Sequence, residues 1–504
     1  MRALRTALPS TLQAGLFMVL AACGTTPEPA KVVPPPPALP PPDVDGAALC
    51  QVVAEVEDAV EQGRARELRD RYQAAGAGDR AKSFGALLAV INEQDRFRAF
   101  REDGERFPTS PVAPLGLCFV YADWKMEDQA TGVCMTAEAS SRGAPIVDVA
   151  RARLMRKKGS LDAATALVDN ALTRDASCVA AHVEAARVHA ARGDADRAMT
   201  AWQQARTAWP ACFLCAVEAA RLADASADRA SAIPLWEAAL AITPGSPVAL
   251  KHYAAALATS EPHKALAAYQ RAVDAGADDL STLLGGAQLA AASGDVVAGL
   301  AFAEKAASLQ KNEIDAWRLV LALALRRNDA AQGDPARAAG AAREVLRLVD
   351  EDVPALLVLA RQARARGNLV DAVVRYDAAA RAIAAGRVAG VEAADLEAAK
   401  KEHAALLTEL HVATVAAKGK PETVVRQVQG AVQQLFLERL KKKKGLAGSL
   451  DVAVVVSAAG TVDTVEIVSD SVGDAAVAAS VVANLRRAVI TGGAKRYSFT
   501  MELK

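Results

Sequence analysis

Arginines at the spacing of a repeat are the residues of this chain whose chemistry points most directly to a ligand. Arg153, Arg187 and Arg221 are 34 residues apart, and Arg361 falls at the same phase of a later segment. Guanidinium groups bind carboxylates through bidentate, charge-assisted hydrogen bonds. A column of such groups on one surface would bind acidic peptide segments or a chain terminus. The alternative is that each arginine is solvated and only covers neighbouring apolar surface.

Cysteines are the second set of residues that could do chemistry. Cys118 and Cys134 fall in two opposing helices of one predicted unit, so they are candidates for a disulfide. Cys178, Cys212 and Cys215 fall near two consecutive junctions between units, and we expect one pair among them. Spacing alone does not determine the connectivity. The C-x-x-C spacing of the last two is typical of redox sites, but a thioredoxin-type site needs a βαβ context and the surrounding pattern is helical.

Signatures of catalysis are missing from the sequence. It has no H-E-x-x-H helix, no G-x-S-x-G elbow, no P-loop and no dinucleotide fingerprint, and it has only six histidines. We therefore predict no catalytic residues, no metal, no cofactor and no small-molecule substrate, so that the chain is not an enzyme. The 59 basic and 59 acidic residues give a formal net charge of zero, which argues against nucleic acid as a partner.

The N-terminus has the pattern of an export signal. Arg2 and Arg5 precede a short apolar stretch that ends in Leu20-Ala21-Ala22-Cys23, and this stretch is too short for a comfortable membrane span. The ending resembles the lipobox of bacterial lipoproteins, which implies cleavage before Cys23 and attachment of diacylglycerol to its sulfur. Gly24 is not the Asp that retains such lipoproteins in the inner membrane. The resemblance therefore implies the outer membrane, facing the periplasm or the cell surface.

A proline-rich segment follows the lipidated cysteine. Nine prolines occur between Pro27 and Pro42, and such a run favours extended polyproline II at about 3.1 Å per residue. The segment is predicted to be a tether that holds the folded part away from the lipid surface. The alternative is a proline-rich ligand for a partner.

The middle of the chain repeats with a period of 34 residues. Trp202 and Trp236 are 34 apart, as are Pro210 and Pro244. Small residues recur where helices would touch: Ala152, Ala186 and Ala220 in a first helix, and Ala164, Ala198, Ala232 and Ala265 in a second. This spacing resembles the tetratricopeptide repeat (TPR), a pair of antiparallel helices. Predicted units start near Pro111, Pro145, Val179, Phe213, Pro247, Leu280, Ile314 and Val353. A polar insertion from Arg326 to Pro335 is predicted to be a loop.

The resemblance to TPR proteins implies where the arginine column lies in the fold. Stacked units of that family form a curved array with an extended concave surface, and the position of the four arginines in the first helix faces this groove in the family. Protein partners are therefore expected on the concave face. The apolar content of 52% with only 4% aromatic residues also favours thin, closely packed helices.

The C-terminal segment has the pattern helix, hairpin, helix, strand. Pro421 to Leu440 is amphipathic, Leu450 to Val456 and Val462 to Val468 flank a turn, Asp474 to Arg487 has a helical pattern, and Tyr497 to Leu503 alternates as a strand. The run Lys441 to Lys444 ends the first helix, where positive charge suits the helix dipole. It could instead contact anionic envelope polymers or lipid headgroups.

This segment resembles the C-terminal domain of AgmX/PglI-type proteins, which is TonB-like. The matching elements are Gly448, Gly460-Thr461-Val462 at the hairpin, and Ser471-Val472-Gly473-Asp474 before the second helix. The family often has a cysteine in each helix, where this chain has Leu435 and Ser480. The family disulfide is therefore absent, and roles in motility or energy transduction are in doubt.

Together these patterns predict a mainly α fold, in which a TPR-like α-solenoid of antiparallel helix pairs precedes a small α+β domain. The predicted segments are a signal peptide (1–22), a lipidated Cys23 with its tether (23–46), a helical cap or divergent repeats (47–110), the array (111–386), a capping helix with linker (387–420) and the α+β domain (421–504). The capping helix is predicted to be one long helix from Val391 to Ala417. The predicted function is an outer-membrane-anchored scaffold for protein–protein interaction. The alternative is a periplasmic adaptor that captures acidic peptide segments of exported proteins.

Overall fold

A computed structural model describes residues 44–76, 78–226, 229–326, 334–388 and 391–504. The signal peptide, Cys23, nearly all of the predicted tether and most of the predicted polar insertion lie outside these residues. Among the described residues, none of the helices combines the length and the apolar stretch that a bilayer crossing requires.

An array of eight helix pairs forms the middle of the protein. The first helices of the pairs are α5 (Val112–Asp123), α7 (Pro145–Lys158), α9 (Val179–Ala191), α11 (Phe213–Asp224), α13 (Pro247–Leu257), α15 (Leu280–Ser293), α17 (Ile314–Arg326) and α19 (Val353–Ala365). The second helices are α6 (Glu127–Ser140), α8 (Leu161–Arg174), α10 (Ala195–Ala208), α12 (Ile233–Ile242), α14 (Pro262–Asp274), α16 (Val296–Leu309), α18 (Pro335–Leu348) and α20 (Leu369–Ala384). Each first helix begins within one residue of the unit start predicted from the sequence, so the predicted fold class, a TPR-like α-solenoid, is confirmed.

The turn inside a pair is built by a glycine followed by a polar cap. Gly193 and Gly294 follow first helices in the left-handed region, with φ of 78° in both cases, a conformation that a side chain disfavours. The next residues, Asp194 and Asp295, accept the backbone N–H of Arg197 and Ala298 and so cap the second helix. This local chemistry reverses the chain within a connection of two or three residues.

Alanines and aromatic residues divide the packing between helices. Ala186 and Ala220 of the first helices and Ala198 of a second helix are fully buried, which lets the helix backbones approach closely. Trp236 and Tyr376 are also buried and fill the space that the alanines leave. The alternation of small and large residues predicted from the sequence therefore forms the seam of the array.

In the described part of the chain before the array there are four helices, and the first of them has no counterpart in a repeat. They are α1 (Gly46–Glu61), α2 (Ala65–Ala74), α3 (Arg80–Leu88) and α4 (Glu93–Arg106). Helices α3 and α4 pack against α5, as a cap would. Helix α1 instead lies across α7, α9 and α11, so the segment 47–110 is not simply a cap or a set of divergent repeats.

The long helix expected from Val391 to Ala417 is shorter in the structure. Helix α21 spans Ala393–Glu409, and the chain continues without helix to the strand β1 (Lys418–Gly419). The main chain of Ala413 explains the difference, because its N–H donates to Asn484 and its carbonyl accepts from Arg487. These tertiary hydrogen bonds hold the segment in an extended form.

The C-terminal module is a small α+β unit. It contains α22 (Pro421–Lys442), β2 (Gly448–Val456), β3 (Val462–Asp470), α23 (Ala475–Arg486), β4 (Val489–Ile490) and β5 (Lys495–Leu503). The antiparallel sheet has the order β3-β2-β5, and β1 pairs with β4 in parallel, a pair that the sequence analysis missed. Apolar side chains of α22 and α23, such as Val428 and Val481, form one core with Val452 and Val454 of the sheet.

This module shares a second core with the last helix pair of the array. Ala479 and Val482 of α23 pack in one apolar cluster with Tyr376 and Ala372 of α20. Beside them Arg486 donates to Asp377 at 3.0 Å, and the two side chains are only 5% and 11% exposed. The module therefore covers the apolar end of the array.

Replacement of Arg486 by alanine should lower the free energy of unfolding by about 3 kcal/mol, because it leaves the Asp377 carboxylate buried with His403 as its remaining described partner. Chemical denaturation of the full chain measures this change. The control is Arg496→Ala, which removes an exposed pair with Glu466 and should have little effect. Equal effects of the two substitutions would contradict a shared core at this junction.

Candidate functional site

Helix α1 occupies the groove formed by the first helices. Its N-terminus lies beside Ala144, just before α7, and Gln62 after its C-terminus accepts a hydrogen bond from Thr243, just after α12. Leu49 and Val53 of α1 are each 1% exposed. The helix therefore crosses three units of the array with its apolar side buried against them.

The arginine column meets carboxylates of α1. Arg153 and Arg187 both bind Glu57, and the distance from Arg187 Nη1 to Glu57 Oε2 is 2.8 Å. One helical turn later, Arg221 Nη2 lies 2.8 Å from Glu61 Oε1. Residues 57 and 61 are four apart and so lie on one side of α1. The three guanidinium groups thus line up along one acidic edge of a helix from the same chain.

The start of the column is a buried network of charges. Arg153 also lies 3.8 Å from Asp123 and 3.9 Å from Glu184, a carboxylate that is 1% exposed and accepts from Arg156 at 2.6 Å. Burial lowers the pKa of Arg153 to about 10, which still leaves the guanidinium charged at neutral pH. The network is therefore balanced by charges within the protein.

Asp58 adds a contact of a different kind between α1 and the array. Its Oδ1 accepts the backbone N–H of Leu214 at 2.6 Å, in the first turn of α11, where the helix dipole favours a negative charge. Gln62 donates to the other carboxylate oxygen. Burial raises the pKa of Asp58 even so. This carboxylate acts as an N-terminal cap supplied by another helix.

Three disulfides are formed within residues 50–215. Cys50 of α1 is joined to Cys178, the residue before α9, and this bond fastens α1 to the array. Cys118 is joined to Cys134 across α5 and α6, the pair considered from the sequence. Cys212 is joined to Cys215 in the first turn of α11.

The partner of Cys178 was not among the sequence candidates. Cys50 lies 128 residues earlier in the chain, in a helix without the repeat motif. A count of the cysteines could have found Cys50, because six cysteines follow Cys23 and only five of them were disulfide candidates. An even number of cysteines in an oxidising compartment pairs completely when geometry allows.

The stabilisation free energy of these contacts keeps α1 in the groove. Burial of a valine or leucine side chain is worth about 1.5–3 kcal/mol, and Leu49, Val52, Val53 and Val56 are all at most 7% exposed. A disulfide adds typically about 2–4 kcal/mol. A partner would have to replace all of this to reach the arginines. The column therefore holds α1 and does not face an open groove.

Arg361, at the other end of the array, is also bound within the chain. It donates to both carboxylate oxygens of Glu402 in α21, at 2.8 and 3.0 Å, and Tyr376 donates to the same carboxylate at 2.9 Å. Burial and this contact raise the pKa of Tyr376 to about 12. All four arginines singled out in the sequence thus bind carboxylates, as their chemistry suggested, but the carboxylates are the protein's own.

The groove is open between these two occupied ends. In the register of the repeat, the positions that follow Arg221 are Ala255, Gln288 and Ala322, and all three are exposed. Leu325, at the end of α17, is 50% exposed. At these three positions the side chains are uncharged, so this stretch of the groove lacks the arginine column that binds α1. We call it the open groove.

The described residues contain no group of three or more His, Cys, Asp or Glu side chains placed to hold a metal ion. No protein-family model matches the chain, and no curated protein sequence matches it.

Solved structures that resemble the chain include TPR proteins. A TPR protein titled YrrB, with "an unusual peptide-binding site", is 17% identical and matches with a TM-score of 0.33 over 37% of this chain and 96% of its own. The C-terminal part of a TPR protein from Cytophaga hutchinsonii is 17% identical, with a TM-score of 0.39 over 48% of this chain and 99% of its own. PilF from Pseudomonas aeruginosa is 16% identical, with a TM-score of 0.36 over 41% and 95%. A likeness at this level concerns the fold alone.

Reversal of two charges in the column, Arg187→Glu with Arg221→Glu, should destabilise the docking of α1 by several kcal/mol, because it places carboxylates opposite Glu57 and Glu61. Denaturant unfolding and limited proteolysis near residue 60 measure the loss. Adding Glu61→Arg to the same chain should restore the part of the stability lost at Arg221, whereas Glu57 is kept because Arg153 also binds it.

The matched control for this reversal is Arg192→Glu with Arg197→Glu, which alters two pairs on exposed surface. These pairs contribute little, so the control should unfold like the parent. Unchanged stability after reversal at Arg187 and Arg221 would show that the ion pairs do not hold α1.

Proposed function

We propose that the protein is a scaffold for protein–protein interaction in the bacterial cell envelope and that its partner binds in the open groove. The observation that carries this proposal is the contrast along one concave surface. The part lined by arginines is filled by α1, whereas Ala255, Gln288 and Ala322 remain exposed in the same register. An array of repeats offers its partner an extended surface of this kind.

The chemistry of the open groove favours a partner segment without strong charge. Ala255 and Ala322 allow the backbone of a bound helix or extended segment to approach closely, and Leu325 offers an apolar contact at the edge of the groove. Arg361 is neutralised by Glu402, so it does not select an acidic partner. The expected occupant is an apolar or uncharged polar face of another protein.

A lipid anchor in the outer membrane is the second part of the proposal. It is supported by the sequence Leu20-Ala21-Ala22-Cys23 followed by Gly24 and by three disulfides, since disulfides persist in exported proteins. Helix α1 begins at Gly46, immediately after the proline-rich tether. A tether anchored at Cys23 would therefore connect the membrane to the end of the array that α1 contacts.

The alternative, an adaptor that captures acidic peptide segments of exported proteins, also has an observation in its favour. The groove already binds one acidic helix, α1, through Arg153, Arg187 and Arg221. The adaptor would need α1 to leave, and Cys50–Cys178 prevents this while it is intact. The scaffold is therefore the function that we favour.

Ala255→Glu with Ala322→Glu should abolish partner binding, because both substitutions place charge and bulk in the open groove. The full chain would be isolated from membranes after in-cell cross-linking, and co-purified proteins would be quantified against the parent. The matched control is Ala267→Glu with Ala301→Glu, which alters exposed alanines of the second helices. Retention of the same partners by the groove variant would refute this assignment of the surface.

Cys23→Ala should release the protein from the membrane fraction, because the only proposed acylation site is removed. Gly24→Asp should keep the lipid but move the protein to the inner membrane. Separation of the two membranes on a density gradient, with immunodetection of the full chain, measures both results. Outer-membrane localisation of Cys23→Ala would be inconsistent with anchoring through this cysteine, and outer-membrane localisation of Gly24→Asp would be inconsistent with sorting by residue 24.

A further inference from the structure

A large open cavity lies between the second helices α16 and α18 and the first turns of α17. Its volume is about 760 Å³, within the range of about 300–1,000 Å³ typical of ligand sites. Trp317 and Val320 of α17, Ala307 of α16 and Ala341 of α18 line its apolar part. The cavity is distinct from the open groove, because Trp317 and Ala322 are five residues apart and point about 140° apart around α17.

Two residues of this unit explain why the cavity exists. Trp317 occupies the position at which Leu250, Leu283 and Leu356 are buried in other first helices. Its larger indole is only partly buried, and one side of the ring is left to line the cavity. On the facing helix, Gly340 has no side chain, and a Cβ built there would meet no atom within 4 Å.

Hydrogen bonds hold the rim of the cavity in place. The carbonyl oxygen of Lys311 accepts from Trp317 Nε1 at 3.0 Å and from Arg347 Nη2 at 3.1 Å. Arg347 also donates to Asn312 at 3.3 Å. The loop between α16 and α17 is thus fixed to both sides of the cavity, and the site is formed before any ligand binds.

The rim carries an excess of positive charge. Its two carboxylates are neutralised, because Glu344 accepts from Arg347 at 2.8 Å and Glu304 lies 3.1 Å from Arg337. The exposed ammonium group of Lys311 has no ion pair within the described part of the chain. Lys311 is therefore the one cation among the residues that line the cavity whose charge is not balanced by a described carboxylate.

We propose that this cavity binds the C-terminal residue of a partner protein, with a large apolar side chain against Trp317 and the terminal carboxylate at Lys311. An aromatic ring fits the floor because offset or edge contacts with the indole add to apolar burial. The carboxylate complements the single available ammonium group. The proposal rests on the scaffold function in that the ligand is a protein, but the site is separate from the open groove.

The full chain can be titrated with an acetylated tetrapeptide that ends in phenylalanine, once as the free acid and once as the C-terminal amide. Calorimetry and quenching of tryptophan fluorescence report binding. We expect the free acid to bind and the amide to bind about fivefold more weakly, since one ion pair at a partly exposed site is worth about 1 kcal/mol. Lys311→Gln should remove the difference between the two peptides.

Gly340→Leu is the decisive variant, because it adds a large side chain at a lining position where a Cβ meets no atom within 4 Å, and it should reduce affinity for the free acid by more than about tenfold. Leucine is a better helix former than glycine, so the fold should be retained or stabilised. The matched control is Gly132→Leu in α6, where a Cβ also meets no atom within 4 Å. This control should bind like the parent.

Three outcomes would overturn the proposal: no saturable binding of the free acid at millimolar concentration, equal affinity for the amide, or unchanged affinity in Gly340→Leu. These outcomes are independent of the test of the open groove. If Ala255→Glu with Ala322→Glu loses the partners while the peptide does not bind, the scaffold function stands and the cavity has another use. If the peptide binds and the groove variant keeps its partners, the cavity is a binding site and the assignment of the open groove is refuted.

Discussion

The docking of α1 into the groove is the interaction on which the N-terminal half of this protein depends. A helix pair in a solenoid normally contacts only its neighbours, so its stability is a sum of local terms. Helix α1 contacts α7, α9 and α11 at once, and Cys50–Cys178 makes the contact covalent. The three units can therefore not open one at a time.

The two halves of the array are stabilised by different means. Every cysteine beyond Cys23 lies between residues 50 and 215, and all six are joined in disulfides. From α13 to α20 the pairs are held by alanine seams, buried aromatic side chains and ion pairs such as Arg318–Asp352. Helix packing of this kind can adjust by small sliding movements, so the half with the open groove is also the half that can adapt to a partner.

The C-terminal module has a structural role that its own fold does not reveal. Its helix α23 completes a core with α20, and Arg486 and Asp377 form a buried pair across the junction. A solenoid needs its last apolar face covered, and this module covers it together with α21. Removal of the whole module would therefore expose the end of the array, and single substitutions on its outer surface are the informative way to test for a second docking function.

Local patterns in the sequence were sufficient to predict most of the helices and strands and the stacking of the helix pairs. The 34-residue period, the glycine and aspartate turns at Gly193–Asp194, and the alanine seams each act between residues that are close in the chain or one repeat apart. For this reason the starts of the first helices, the two C-terminal helices and the three long strands could be predicted. The chemistry of Arg153, Arg187, Arg221 and Arg361 as carboxylate-binding groups was also evident from residue type and spacing.

Only the tertiary structure decided which carboxylates these arginines bind. Glu57 is 130 residues from Arg187, and Cys50 is 128 residues from Cys178, and no repeat phase relates α1 to the groove that it fills. The cavity beside Trp317 likewise depends on the absence of a side chain at Gly340, on the facing helix. The repeat period predicts which side chains each helix places on its surface. Whether another part of the chain covers that surface depends on contacts between residues far apart in the sequence, and no local pattern encodes these contacts.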